Sequence, residues 1–167
     1  TARQCRIAEL AAILCFCAKV EHFPQGEKLK IQTENEAVAR KCFTLLQKTF
    51  NIEKEIFVRE NSHLKRLKIY VIEISDPEEI QVILQGTKLV TCREPHDSLI
   101  LENLLVVQQN CCKRAYIRGA FLSSGSISDP ERSYHFEIVC GELAQAEYVR
   151  DMINSFDLDA KLSLIHI

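Results

Sequence analysis

The chain has 167 residues, 47% hydrophobic and 26% charged, a makeup that suits one globular domain or two packed halves. Its formal net charge is −2, which excludes gripping nucleic acid by overall positive charge and leaves such contact to a local patch or a partner domain. The longest apolar run, from Leu10 to Ala18, is far shorter than the roughly 20 residues that span a bilayer, so no membrane contact is expected, and reduced cysteines point to a cytoplasmic location.

Residues 5–20 are predicted as a helix with apolar or small side chains nearly all round, hence buried on most faces. Pro24-Gln25-Gly26 supplies a turn, and 28–33 alternate so that Leu29 and Ile31 share one face of a strand. Thr33-Glu34-Asn35-Glu36 fits a capping box ahead of a helix over 37–50. Strands follow around 55–60 and 64–74, joined through Asn61-Ser62. Ser75-Asp76-Pro77-Glu78 starts a helix reaching about Leu84. Residues 91–110 are expected as a connection, with Pro95 marking a loop and a short helical stretch after it.

The order then begins again: a helix over 111–124, a turn at Ser128-Asp129-Pro130, and a strand over 134–140. A helix over 142–156 and a strand over 161–167 complete it. An offset of 106 or 107 lays Pro24 on Pro130, Glu36 on Glu142, Phe50 on Phe156 and Asn51 on Asp157. The expected organisation is a first repeat over 1–90, a connecting segment over 91–110, and a second repeat over 111–167 that is incomplete at its C-terminal end.

The eight cysteines do not form a disulfide framework. Several fall inside apolar helical runs, where a free thiol behaves as a small hydrophobe. No C-x-x-C pair exists, so spacing predicts no metal site. Adjacent Cys111 and Cys112 are read as helix packing rather than a redox pair. His96-Asp97-Ser98 is read as a polar turn, since catalytic triads assemble in space and not along a loop.

Two nine-residue stretches carry the argument. Ile117-Arg118-Gly119-Ala120-Phe121-Leu122-Ser123-Ser124-Gly125 and Leu10-Ala11-Ala12-Ile13-Leu14-Cys15-Phe16-Cys17-Ala18 both resemble the LAGLIDADG motif. Ala8 and Ala12, like Ala115 and Gly119, set small residues four apart for close helix packing. Gly125 stands at the helix end, where a left-handed termination is expected. The motif's last acidic position holds Cys17 in one copy and Ser124 in the other; its earlier one holds Cys15 and Leu122. Thiol, hydroxyl and leucine are poor ligands for Mg²⁺ or none, so no catalytic residue, cofactor or enzyme activity is expected. Glu21 and Asp129 are placed in turns beyond the helix ends.

The segment from Cys111 to Leu122, with Gly125-Ser126-Ile127 and Asp129-Pro130, resembles WhiA proteins of Gram-positive bacteria. So do Ala8 to Leu14 and Tyr134-His135-Phe136-Glu137-Ile138. The resemblance implies an α/β (α+β), LAGLIDADG homing-endonuclease-like fold of two pseudo-symmetric αββα-type repeats, with the signature helices packed at their interface. It also implies the non-catalytic N-terminal domain of a DNA-binding transcriptional regulator of sporulation or cell division, associated with the nucleoid. The implied partners are DNA, reached mainly through a C-terminal helix-turn-helix domain outside this chain, and proteins of transcription or division. The alternatives are an active LAGLIDADG endonuclease and a protein-interaction scaffold without DNA contact. In the parent fold the sheet is a saddle over DNA. Lys28, Lys30 and Gln32 are expected on it, with Arg59, Lys65, Arg66 and Lys68 extending a phosphate-contacting patch. His135 and Glu137 replace Lys28 and Lys30 in the second copy, which weakens that patch.

Overall fold

The computed structural model describes residues 2–61, 67–92, 97–128, 131 and 135–163. The first repeat runs α1 (Arg3–Cys17), β1 (Ala18–Phe23), β2 (Gly26–Thr33), α2 (Glu36–Phe50), β3 (Phe57–Asn61), β4 (Leu67–Ile74) and α3 (Pro77–Thr87). Strands β5 (Leu89–Cys92) and β6 (Ser98–Leu101) and a 3₁₀ turn (Leu105–Val107) lead to the second repeat: α4 (Asn110–Ser124), β7 (Gly125–Ile127), β8 (Phe136–Ile138) and α5 (Leu143–Asn154). Six strands form one antiparallel sheet in the order β3-β4-β2-β1-β6-β5, and β7 pairs with β8 in a separate two-stranded sheet.

Helix α1 is the centre of the core. Leu10, Ala11, Ile13 and Leu14 are fully buried, as its all-round apolar character predicts. It contacts α2, α3 and α4 and lies over β1, β2 and β6. Val20, Leu29, Ile31, Ile72 and Ile74 rise from the sheet beneath it.

The helix expected to reach residue 20 stops at Cys17. Ala18 and Val20 turn inward while Lys19 and Glu21 turn outward, a period of two. These residues pair with β2 from Ala18↔Ile31 to Phe23↔Gly26, so the backbone groups join a ladder instead of a last helical turn. Gly26 closes the tight connection at φ +141°, where side-chain-bearing residues rarely go. The capping box is also replaced. Asn35, not Thr33, caps α2 by accepting from Ala37 N at 2.9 Å, while Thr33 Oγ1 accepts from Asn35 N at 3.1 Å.

Helix α3 starts as its sequence predicts: Asp76 accepts from Glu78 N at 2.9 Å and Pro77 occupies the first turn. Asp76→Ala is expected to remove about 1 kcal/mol, a fall of about 2–4 °C in a thermal melt. An unchanged midpoint would show that the cap contributes nothing.

Residues 91–110 are more than a linker. The end of β5 and all of β6 form a hairpin whose Ser98 pairs with Lys19 of β1, extending the sheet. Leu99 and Leu101 alternate inward and are buried, and β6 contacts α1. The loop expected at Pro95 lies outside the described residues.

The second repeat copies the first in register. Ala18↔Ile31 returns as Gly125↔Ile138, 107 positions on in both partners. Asn51 and Asp157, aligned in the sequence, both adopt left-handed φ, 56° and 60°. Elements here are shorter than expected: β8 covers three residues and α5 ends at Asn154. The strand expected over 161–167 is absent from 161–163, the described part. Just before it, Asn154 accepts from Ala160 N at 2.6 Å and donates to Ala160 O at 3.3 Å, so a side chain satisfies backbone that a ladder would have used.

Candidate functional site

The two signature helices, α1 and α4, pack along their small residues. Ala8, Ala12, Ala115 and Gly119 are all buried. A Cβ added at Gly119 would stand 2.6 Å from the Glu9 carbonyl oxygen and 2.9 Å from Ala12 Cβ, so the absence of a side chain sets the approach of the two backbones. Gly125 behaves otherwise. Its φ of −94° and ψ of 158° are extended rather than left-handed, because α4 runs straight into β7. Its Cβ direction points at the ring of Phe121, which stacks on Phe136 at 4.9 Å, so Gly125 serves the helix–strand junction rather than the interhelical contact.

Sequence reading missed Glu9. This side chain is only 2% exposed, yet it accepts from Arg118 Nε and Nη2, each at 3.2 Å, and lies 3.6 Å from Lys41 Nζ. The pair ties α1 to α4 beside Gly119. Its signal in the sequence is a lone carboxylate at the head of the apolar run that begins at Leu10.

A cleft of about 580 Å³ opens at the C-terminal ends of α1 and α4, and Cys17 and Ser124 both line it. An adjoining cleft of about 850 Å³ shares Phe16, Cys17 and Gln32. Cys17 and Ser124 therefore meet at one cleft, although they stand 107 positions apart in the chain. Neither is presented for a hard cation. Burial pushes the Cys17 thiol up, so a neutral thiol faces the cleft. Cys15 behind it is pushed up to about 12 by burial, with Tyr116 pulling the other way. Ser124 donates to Val139 O at 2.6 Å.

Carboxylates do reach this cleft, from places the sequence reading did not assign. Glu21 lies in β1, not in a turn, and its carboxylate sits 3.5 Å from Lys30 Nζ. Glu142 accepts from Ser98 Oγ at 3.1 Å. Each is held by a neighbour from another element. Asp129 lies outside the described residues, as does His96. Asp97 and Ser98 do not form a triad: Asp97 O accepts from Val20 N, and Ser98 belongs to β6.

The sheet face away from the helices carries Lys28, Lys30 and Gln32, as the alternation with buried Leu29 and Ile31 requires. Arg59 shares it through its pairing opposite Ile69. Three of its cations share two carboxylates, while Lys19 also turns to this face. Lys28 lies 3.4 Å from Glu73 and 5.4 Å from the Phe23 ring centroid, Arg59 lies 3.7 Å from Glu73, and Lys30 bridges to Glu21. Lys68 falls on the opposite face, since it is two positions from Tyr70 and four from buried Ile72 on β4. Lys65 and Arg66 lie outside the described residues. His135 and Glu137 are exposed beside β7.

Two comparisons fit this architecture. Residues 3–90 match the family model of the WhiA N-terminal LAGLIDADG-like domain, and residues 113–165 match that of the WhiA LAGLIDADG-like domain. The chain belongs to the WhiA family. The probable cell division protein WhiA of Lachnoclostridium phytofermentans is 44% identical over 98% of this chain and 52% of its own length. That of Alkaliphilus oremlandii is 37% identical over 96% and 51%. This WhiA chain spans about half the length of the curated relatives it matches.

Solved structures agree on the fold. The crystal structure of the N-terminal LAGLIDADG domain of DUF199/WhiA superposes with a TM-score of 0.69 at 19% identity, covering 99% of this chain and 72% of that one. The structure of I-DmoI in complex with DNA and Mn superposes at 0.64 and 12% identity, covering 99% and 85%. The fold is thus that of the LAGLIDADG homing endonucleases. No helix among the described residues is long and apolar enough to cross a membrane.

Proposed function

We propose that this WhiA chain is a non-catalytic module of a DNA-binding transcriptional regulator of sporulation or cell division, acting in the cytoplasm at the nucleoid. Its repeats over 1–90 and 111–167, joined by 91–110, serve as a scaffold. DNA is read mainly by a helix-turn-helix domain elsewhere in the full-length protein, alongside protein partners of transcription or division. One observation carries the reading: Cys17 and Ser124 converge on the cleft while the small-residue helix interface around them is kept. A thiol and a committed hydroxyl supply no ligand for a hard cation, and the carboxylates of the cleft, Glu21 and Glu142, are engaged by Lys30 and Ser98.

Incubating the chain with supercoiled plasmid and Mg²⁺ or Mn²⁺ is expected to give no nicking above background. Metal-dependent cleavage abolished by Ser124→Ala would overturn the reading and restore the endonuclease.

A second reading, a scaffold that never meets DNA, draws support from the pairing of Lys28, Lys30 and Arg59 with Glu73 and Glu21. A salt titration of DNA binding separates the two. Weak, sequence-independent binding by this chain that falls steeply with salt fits phosphate contact through the sheet. No affinity at low salt, while the full-length protein binds, leaves the domain as scaffold alone.

A further inference from the structure

Three thiols meet at the end of the helix pair far from the cleft. The Sγ atoms of Cys5, Cys111 and Cys112 all lie within 4.8 Å of one another, with Cys5 and Cys112 buried and Cys111 exposed. Cys5 stands in the first turn of α1, the other two in the first turn of α4, so the cluster joins the two repeats. Spacing along the chain showed no ligand pattern, because packing alone brings Cys5 to the pair. Beside the cluster, Gln4 Nε2 donates to Gln109 Oε1 at 2.7 Å, and Cys111 Sγ donates to the same oxygen at 3.5 Å.

We propose that Cys5, Cys111 and Cys112 form a three-thiolate site for a soft cation such as Zn²⁺, clamping the first turns of the two signature helices. Zinc–sulfur bonds of about 2.3 Å set tetrahedral sulfurs roughly 3.8 Å apart. Closing from the observed spacing requires a shift on the order of 1 Å at most. The fourth position is open on the Cys111 side, where Gln109 offers an amide oxygen that Gln4 orients, the outer-sphere support ligands usually have.

Ligation requires all three thiols as thiolates, so uptake releases protons to solvent and weakens as pH falls. Sulfur donors select zinc or monovalent copper over magnesium, which makes this site unrelated to any strand-cleaving metal.

The test uses the fully reduced chain, titrated with Zn²⁺ alone and separately with Cd²⁺ alone. One equivalent should be taken up, the melting midpoint should rise by several degrees with Zn²⁺, and Cd²⁺ should give sulfur-to-metal charge-transfer absorbance. Cys111→Ser, exposed and therefore mild to the fold, should lose the absorbance and at least tenfold in affinity. Cys92→Ser, on β5, should keep both. Absence of uptake overturns the proposal, as does uptake undiminished in Cys111→Ser. Conversion to a Cys5–Cys111 disulfide with no metal bound overturns it as well.

Discussion

Gly119→Ala is expected to lower the folding stability of this chain by about 1–3 kcal/mol, although the same change at an exposed helical site adds up to about 1 kcal/mol. The sign follows from what the new methyl group meets. Its nearest neighbours are the Glu9 carbonyl oxygen at 2.6 Å and Ala12 Cβ at 2.9 Å, atoms of a helix backbone and of the shortest side chain that has a Cβ. Neither can rotate away, so α1 and α4 must separate. The small residues above and below, Ala8, Ala115 and Ala12, then lose contact together. In a domain of this size the change corresponds to a fall of several degrees, since about 1 kcal/mol moves the midpoint about 2–4 °C. Gly119→Val should cost more. Gly141→Ala is the control, because nothing lies within 4 Å of a Cβ built there. Urea and thermal denaturation of the three variants decide it. A midpoint in Gly119→Ala equal to or above the parent's would show that the interface tolerates separation.

The second large effect is asymmetric within one ion pair. Arg118→Met is expected to destabilise the chain by about 2–4 kcal/mol, while Glu9→Gln costs about 1 kcal/mol. Glu9 is 2% exposed and Arg118 49% exposed. Removing the arginine strands a buried carboxylate whose remaining cation, Lys41 Nζ, is 3.6 Å away, beyond good hydrogen-bonding range. Removing the carboxylate's charge leaves an arginine already half in water, and glutamine keeps an oxygen for it. The cost given for Arg118→Met sits below that of an isolated buried charge because Lys41 stays. Combining the two substitutions should cost less than their sum, the signature of direct coupling in a double-mutant cycle. Additive losses, or a larger effect from Glu9→Gln, would show that the fork does not hold the interface.

These two positions also show how far residue patterns reach. The small residues at Ala8, Ala12, Ala115 and Gly119 were legible as a packing stripe, because helical periodicity is local and a four-residue spacing needs no partner to be seen. The loss of the motif's carboxylates at Cys17 and Ser124 was equally plain. So was the repeat, since turns and caps recur at fixed offsets, and the paired left-handed residues Asn51 and Asp157 bear it out in the backbone.

What the chain's order could not show was which distant groups meet. The start of strand β1 has the sequence of a helix tail because its apolar residues, Ala18 and Val20, continue an apolar run; pairing with β2 makes it a strand. The β5–β6 hairpin looked like a linker until α1 gave Leu99 and Leu101 something to cover. Lys28, Lys30 and Arg59 were visible as cations, but their charge on the sheet is set by Glu73 and Glu21, carboxylates on neighbouring strands or across a hairpin.

The missing carboxylates and the small-residue stripes were determined by the sequence by itself, since each depends on one residue or a local period. Tertiary structure decided the burial of Glu9 against Arg118, 109 positions away, and the meeting of Cys5 with Cys111 and Cys112. Electrostatics and ligation act through space, and only packing of the two signature helices brings those groups within range.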